Sequence, residues 1–351
     1  MKNYVFFLAL ILLSICTSCR NIGKLANEQK SRSYFIDSKG KVSYCMNGNW
    51  FSLGISPMPE ADAQSFEVLA EDIARDKNAV YFCAIKQKQV DRNSFYVDKK
   101  IPKDRFHVYY ILQHYGFKII EGADPKTYEL IDNHPNWARD RSHYFYSDKL
   151  VHADRKTFAF INSFFMKDKD SVYTTPNTGG FKSILPNSGN AEAVNDYYMR
   201  FGNTIYYPSF QQGSDGTTRS FDSIHAIRVI NEQTICVNNK DILILGKNFK
   251  YAEVDAPSFQ LLTFDGDQDD AYMFSYYSKD KNHVYYDQEV IPGADVKTFI
   301  LIGRDFGKDD KNAYFQNKLL KGVDATSFKK EGNYYKDKLG NKFSALTGNK
   351  V

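Results

Sequence analysis

The chain has no Gly-x-Ser-x-Gly elbow, no His-Glu-x-x-His pair and no glycine-rich loop ending in Lys-Ser or Lys-Thr. The sequence signs of a serine hydrolase, a helix-borne zinc site and a P-loop are therefore missing. Charge of one sign is scarce as well: 46 Lys and Arg against 42 Asp and Glu leave a formal net charge of +4 over 351 residues, with the signs interleaved. That balance offers no basic footprint for nucleic acid. The acid pairs Asp269/Asp270 and Asp309/Asp310 sit in polar turn sequence, where nothing raises a carboxyl pKa toward the range of acid–base catalysis. No enzyme and no cofactor are expected.

The one long apolar run, residues 5–15, is shorter than the roughly 20 residues a spanning helix needs. It lies in MKNYVFFLALILLSICTSC, where one Lys precedes it and small residues follow it, the pattern of a secretion signal. Thr17-Ser18-Cys19 is similar to the processing box of a bacterial lipoprotein, which makes residues 1–18 the signal and Cys19 the lipidated first residue. Cys16 stands where that box usually has Leu, and the competing site at Cys16 has the bulky Ile15 before it. Cys16-x-x-Cys19 as a metal or redox motif is set aside because it falls inside the signal. Acyl chains on Cys19 would hold a domain at a membrane without a spanning segment. Residues 19–32 read as a tether. The expected location is the bacterial envelope, in the outer membrane facing the periplasm, since no acidic export cluster follows Cys19. Loss of residues 1–18, whose only charge is Lys2, would change +4 to +3. In an oxidising compartment Cys45 and Cys83 are able to pair, while Cys236, in Ile235-Cys236-Val237, reads as a buried thiol.

The remaining chain repeats itself. A small apolar residue, Asp, two variable residues, Ser or Thr and an aromatic recur at Asp62, Asp91, Asp124, Asp154, Asp255, Asp295 and Asp324. The intervals are 29, 33, 30, 101, 40 and 29 residues, so the long one has room for two eroded units. Traces of these are Tyr206-Tyr207 with Asp215 and Phe221, and a start at Asp168. The other half of the phrase is an acidic turn and an aromatic strand, found five times: Asp76 before Val80-Tyr81-Phe82, Asp104 before Val108-Tyr109-Tyr110, Asp140 before Tyr144-Phe145-Tyr146, then Asp280 and Asp310 with their own strands. Strand formers bounded by Asp, Asn and Gly predict short hairpin strands.

With its acidic turn and tyrosine pair, the chain resembles the DKNYY-repeat proteins of bacteria over roughly residues 60–345, with departures at 168–250. The resemblance implies a repeat architecture and no particular activity.

Each repeated position has a physical reading. An Asp three residues before a hydroxyl predicts a capped helical turn, the carboxylate accepting from backbone N–H groups. Pro125 suits the first position inside such a turn, and Gly122, Gly293 and Gly322 sit where the chain bends into it. The seven Asp residues read as caps and not as cation sites, because Lys, Arg, Pro and Ala surround them instead of further oxygen ligands. Alternation along the strands puts Val284 and Tyr286 on one face and Tyr285 on the other. One face is expected in a core, the other on the next repeat or open as a tyrosine ladder. A lone unit cannot offset the entropy of ordering its chain, so units must stack. The fold class expected over 33–351 is mainly β with short helical turns: tandem β-meander units in a solenoid or a propeller-like array.

Other candidates weigh less. His107, His143 and His283 share one repeat slot, which reads as a tolerant strand start more than as metal ligands. Asp265-Gly-Asp267-Gln-Asp269-Asp270 alternates like a calcium loop but has Asp270 where Gly belongs. Residues 174–195, rich in Thr, Asn, Gly, Pro and Ser, interrupt the repeat and read either as a binding loop or as plain erosion. The function expected is a lipid-anchored binding or scaffolding module with an envelope protein or glycan as partner; the alternative is a glycan-binding accessory or glycan-active enzyme using exposed tyrosine faces.

Overall fold

Runs of three or four β-branched and aromatic residues between Asp, Asn and Gly turns become strands of two to five residues, too short to persist alone. The computed structural model describes residues 22–113, 115–175, 181–189, 191–209, 216–264 and 276–351. Among the described residues every sheet is a meander in chain order; eight have four strands, one has three, and two are hairpins. The hairpins, Tyr96–Asp98 with Ile101–Lys103 and Tyr109–Leu112 with Gly116–Ile119, are joined by the bridge Lys103↔Val108 and serve as one meander. Numbered along the chain, sheets 1–4 span 24–57, 67–87, 96–119 and 129–151. Sheets 5–10 span 159–186, 191–220, 227–248, 260–290, 300–319 and 329–344.

The sequence reads as one continuous domain over 33–351, but the chain forms two compact units divided after Arg155. The division falls in the turn that begins at Asp154, so sheets 1–4 belong to the first unit and sheets 5–10 to the second.

Within each unit the core lies between successive sheets. In the strand Val284–Tyr286, Tyr285 turns back onto Cys236, Ile242, Phe249 and Phe259 around sheet 7, and Val284 turns forward onto Phe299 and Tyr314 of sheet 9. Side-chain alternation does this automatically, since neighbours on a strand point to opposite faces. The same arrangement pairs sheets 1 and 2 through Tyr34 and Tyr81, sheets 2 and 3 through Phe82 and Phe117, and sheets 9 and 10 through Phe306 and Tyr335. Phe306 and Tyr335 stack with centroids 3.9 Å apart. An open tyrosine ladder, one of the two sequence expectations for the second strand face, is not what these strands form: Tyr34, Tyr109, Tyr277, Tyr285 and Tyr314 are fully buried. Cys45, Cys83 and Cys236 are free thiols, so the pairing open to Cys45 and Cys83 is not made here. Gly122, Gly293 and Gly322 take φ near +76°, the left-handed bend that admits glycine without strain.

Phe328 is fully buried among Phe306, Tyr335 and Phe343. Replacing it with Ala is expected to cost about 3–5 kcal/mol. Because sheets 9 and 10 share that core, amide hydrogen exchange should accelerate over 300–344 and stay unchanged over 34–81; uniform acceleration in both segments would contradict a core confined to neighbouring sheets.

Candidate functional site

The link between the second and third strands of a sheet turns sharply, and its first residue is a buried Asp in sheets 2–5, 8 and 9: Asp76, Asp104, Asp140, Asp168, Asp280 and Asp309. A buried carboxylate is costly unless its lone pairs are filled. They are filled by a recurring set of donors. Asp280 Oδ1 accepts Asn282 N–H and His283 N–H at 2.7 Å each, and its Oδ2 accepts Asp255 N–H and Tyr285 O–H, both at 2.7 Å. Asp309 repeats this with Lys311, Asn312, Asp295 and Tyr314, and Asp76 with Asn78, Ala79, Asp62 and Tyr81. The sequence assigns this role in the ninth sheet to Asp310; the structure gives it to Asp309, and Asp310 occupies the slot that holds Lys77 and Lys281 elsewhere. Asp140 has Phe145 where the others have Tyr and keeps the three backbone donors.

The cap residues lie one link earlier. Asp62 Oδ1 accepts Ser65 N–H at 3.0 Å and Ser65 O–H at 2.8 Å; Asp255 with Ser258 and Asp324 with Ser327 do likewise. Asp91 and Asp124 accept the hydroxyls of Ser94 and Thr127. At Asp154, the Thr157 hydroxyl accepts Lys169 N–H at 3.0 Å. Asp295 has Lys297 N–H on Oδ1. The hydroxyl of each cap accepts the N–H just after the turn Asp, as in Ser65 with Lys77 and Ser327 with Lys338. Lys77, Arg105, Arg141, Lys281 and Lys338 close the ring onto Asp62, Asp91, Asp124, Asp255 and Asp324.

One recurrent feature went unread in the sequence: a basic residue stands directly before the turn Asp. Lys308 Nζ donates to the carbonyls of Ala325 and Phe328, Lys279 to Val296, Lys103 to Tyr128 and Arg75 to Phe95. Each target is in the cap turn that opens the next sheet. The Lys/Arg–Asp dipeptide therefore ties its own sheet backward and forward at once; its signal was the dipeptide recurring at 75–76, 103–104, 139–140, 167–168, 279–280, 308–309 and 336–337.

Where the signature decays, over 168–250, sheets 5–7 keep the four-stranded order. Sheet 5 keeps Asp168; in sheet 7 Asn238 stands at the turn position, and in sheet 6 Asn195 works from the first link. Asn238 Oδ1 accepts His225 N–H and Ala226 N–H while its Nδ2 donates to Ser223 O, doing with a neutral amide what the turn Asp does with a carboxylate. Asn195 accepts Tyr197 and Tyr198 N–H and donates across to Glu232 O.

The electrostatics follow from these contacts. Burial pushes the Asp280 carboxyl up, but Asp255 N–H, Tyr285 O–H and the N–H groups of Asn282 and His283 outweigh it and hold the group below its ordinary range. Asp76, Asp104 and Asp309 behave the same way. Lys77 and Ser65 beside Asp62 hold its carboxyl at about 2. Burial, with Asp280 alongside, pushes the Tyr285 phenol well up. None of these groups is poised to exchange a proton near neutrality.

His107, His143 and His283 each lie with Nδ1 3.6–3.9 Å from their own turn Asp, a place at the strand start and not a shared ligand set. Among the described residues no three His, Cys, Asp or Glu are placed to hold a metal. The acidic loop at 265–270, together with Asp215 and Cys19, lies outside the described residues. A cleft of about 820 Å³ opens beside sheets 3 and 4, lined by Lys99, Lys103, Lys126, Arg139, Arg141 and Arg155 among others. Lys103 is held by Asp98 and Tyr128 O, Arg139 by Glu129, and Arg155 by Asp140 O and the Tyr144 ring. Asp98, Glu129, Asp132 and Asp140 line it too, so the cleft carries both signs of charge and can grip a polar, hydrogen-bonding surface.

Replacing Asp309 with Asn leaves Asp295 N–H and Tyr314 O–H facing an amide, and at about 1–3 kcal/mol per unpaired buried donor a loss of roughly 2–4 kcal/mol is expected. The native-state pKa values of Asp76, Asp104, Asp280 and Asp309 lie below their unfolded values near 3.9, so their stabilisation is full above about pH 4 and drains away as pH falls through the folded pKa. Thermal melts should be flat from neutrality to about pH 5 and fall steeply below about pH 4, less steeply in Asp309→Asn. Asp324→Ala should lower the melting temperature more than Asp295→Ala, since Asp324 holds Ser327, Thr326 and Lys338; the reverse order would refute this account of the caps.

No curated protein matches the chain. The model of the DKNYY family matches it twice, over residues 35–177 and 193–342. The first match begins at the second strand of sheet 1, earlier than the sequence resemblance, and takes in Asp37, whose Oδ1 accepts Lys39 and Lys41 N–H in a turn that, like the one at Asp337, is one residue longer than that at Asp76. With both repeats of the frame accounted for, the chain belongs to the DKNYY family.

Proposed function

We propose that this protein is a non-catalytic binding or scaffolding module of the bacterial envelope, anchored by lipid on Cys19 at the outer membrane and facing the periplasm, its sheets arrayed as a solenoid or a propeller-like stack. The observation that carries the reading is the fate of the titratable side chains. The buried turn carboxylates are saturated by backbone and tyrosine donors, which leaves them structural. Variation is concentrated instead in the link between third and fourth strands. It is two residues in sheets 2, 4, 7, 8 and 9 but covers 45–55 in sheet 1, 175–181 in sheet 5 and 208–216 in sheet 6. Loops on a fixed frame are where recognition evolves. The cleft by sheets 3 and 4 supplies a second contact surface within the first unit. The glycan reading has less support, because Tyr81, Tyr109, Tyr285 and Tyr314 of the repeat strands are core residues.

Two measurements test the proposal. Palmitate fed to producing cells should label the chain and not Cys19→Ser, whose membrane association should fall. A photo-crosslinker placed at exposed Lys126 in the cleft should capture one reproducible envelope partner in the native cell, and a polysaccharide array should retain nothing. Absence of any reproducible crosslink, from Lys126 or from Lys182 at the end of the 175–181 link, would overturn the scaffolding role.

A further inference from the structure

The link at 45–55 of sheet 1 differs from its counterparts in chemistry as well as length. It folds as two short turns, Met46–Gly48 and Trp50–Leu53; the Asn49 side chain accepts Ser52 N–H at 3.2 Å, and Gly54 ends the second turn at φ 78°. Four large apolar side chains project from it: Met46 is 43% exposed, Trp50 41%, Phe51 87% and Leu53 58%. Elsewhere among the described residues such exposed side chains stand singly or in pairs along the chain. No charged residue occurs from Val42 to Pro59. An uncharged aromatic cluster held in water needs a reason.

Its position supplies one. The cluster is fastened to the end of the tether: Asn47 N–H donates to Ser33 Oγ at 3.0 Å, Cys45 N–H donates to Ser33 O at 2.7 Å, and a side chain on Gly48 would come within 3.0 Å of Arg32 O. Arg32 is exposed beside it, as are Lys24 and Lys30 on the same segment. The first strand begins at Lys24, five residues after Cys19, a separation of at most roughly 18 Å of extended chain. If Cys19 is acylated, the cluster cannot stray far from the bilayer surface.

We propose that Met46, Trp50, Phe51 and Leu53 form a wedge that enters the boundary between headgroups and acyl chains, with Arg32, Lys24 and Lys30 against anionic headgroups. This rests on the lipid-anchor reading above. Trp is suited to that boundary by its large ring and single N–H donor. A lipid chain alone tethers without fixing orientation, and a second contact of apolar and basic side chains makes attachment stable. A second copy of the chain is a poorer occupant: a standard interface needs about 800 Å² per partner, more than one helical turn presents.

Trp50 reports on itself, because the other of the two tryptophans, Trp137, is buried in sheet 4. Full chain isolated from cells, and its Cys19→Ser form, would be mixed with vesicles of phosphatidylethanolamine and phosphatidylglycerol carrying brominated acyl chains. Flotation reads the anchor; quenching of Trp50 by the brominated lipid reads the wedge. Expected are a blue shift and loss of roughly half the emission, the share of one tryptophan in two. Trp50→Phe should remove the responsive component, and Phe51→Asp should abolish quenching with the circular dichroism unchanged. Quenching in both forms, or in the unmutated form alone, supports the wedge. Quenching in neither overturns it; whether the unmutated chain then floats while Cys19→Ser does not decides the anchor separately. Trp50 already shielded from acrylamide without vesicles, by a second copy or by residues 5–15, also overturns it.

Discussion

A carboxylate withdrawn from water at the second turn of sheets 2–5, 8 and 9 must find about four donors or cost several kcal/mol. The donors available come from its own turn, from the cap turn before it and from a tyrosine on the strand after it, as at Asp280. Satisfying the charge therefore fixes three pieces of chain at once. The adjacent Lys or Arg carries the constraint forward, as Lys308 does to Ala325 and Phe328. Geometry passes from sheet to sheet through these polar bolts, while the aromatic core between sheets provides the apolar burial that lets such short strands persist.

This division of labour explains why the frame tolerates insertions at one place. The second link cannot lengthen freely without emptying the carboxylate of its donors; where it does, at Asp37 and Asp337, Gly40 and Gly340 in the left-handed region return the chain so that Lys41 and Asn341 N–H still reach Oδ1. The third-to-fourth link has no such duty. It accommodates 45–55, 175–181 and 208–216, and any recognition function built on the array has most freedom there.

Much of this was legible in the residues. Asp before Ser or Thr and an aromatic marked the caps, and Val284 beside Tyr285 marked a strand with bulk on both faces, though not whether the second face is covered. Three things were hidden. Asp310 mimics Asp309 because the two acids are adjacent, and only the five-residue reach to Tyr314 distinguishes them. Asn238 performs the turn role with an amide, so a search for a charged signature passes over it. The break after Arg155 leaves no mark in sequence, since the cap at Asp154 has the same residue pattern as the caps inside either unit.

The exceptions show how the bolt can weaken without failing. Asp140 lacks a tyrosine donor at Phe145, yet Arg155 donates to the Asp140 carbonyl and lies 4.6 Å over the Tyr144 ring. Asp295 faces Asp310 where other caps face Lys or Arg, yet its N–H still fills Asp309 Oδ2 at 3.1 Å. In both cases the backbone donors remain and a side-chain donor is lost. Backbone N–H groups survive any substitution except proline, so the frame outlasts drift in its own signature, which is why sheets 6 and 7 keep their order where the Lys–Asp pair and its tyrosine are missing.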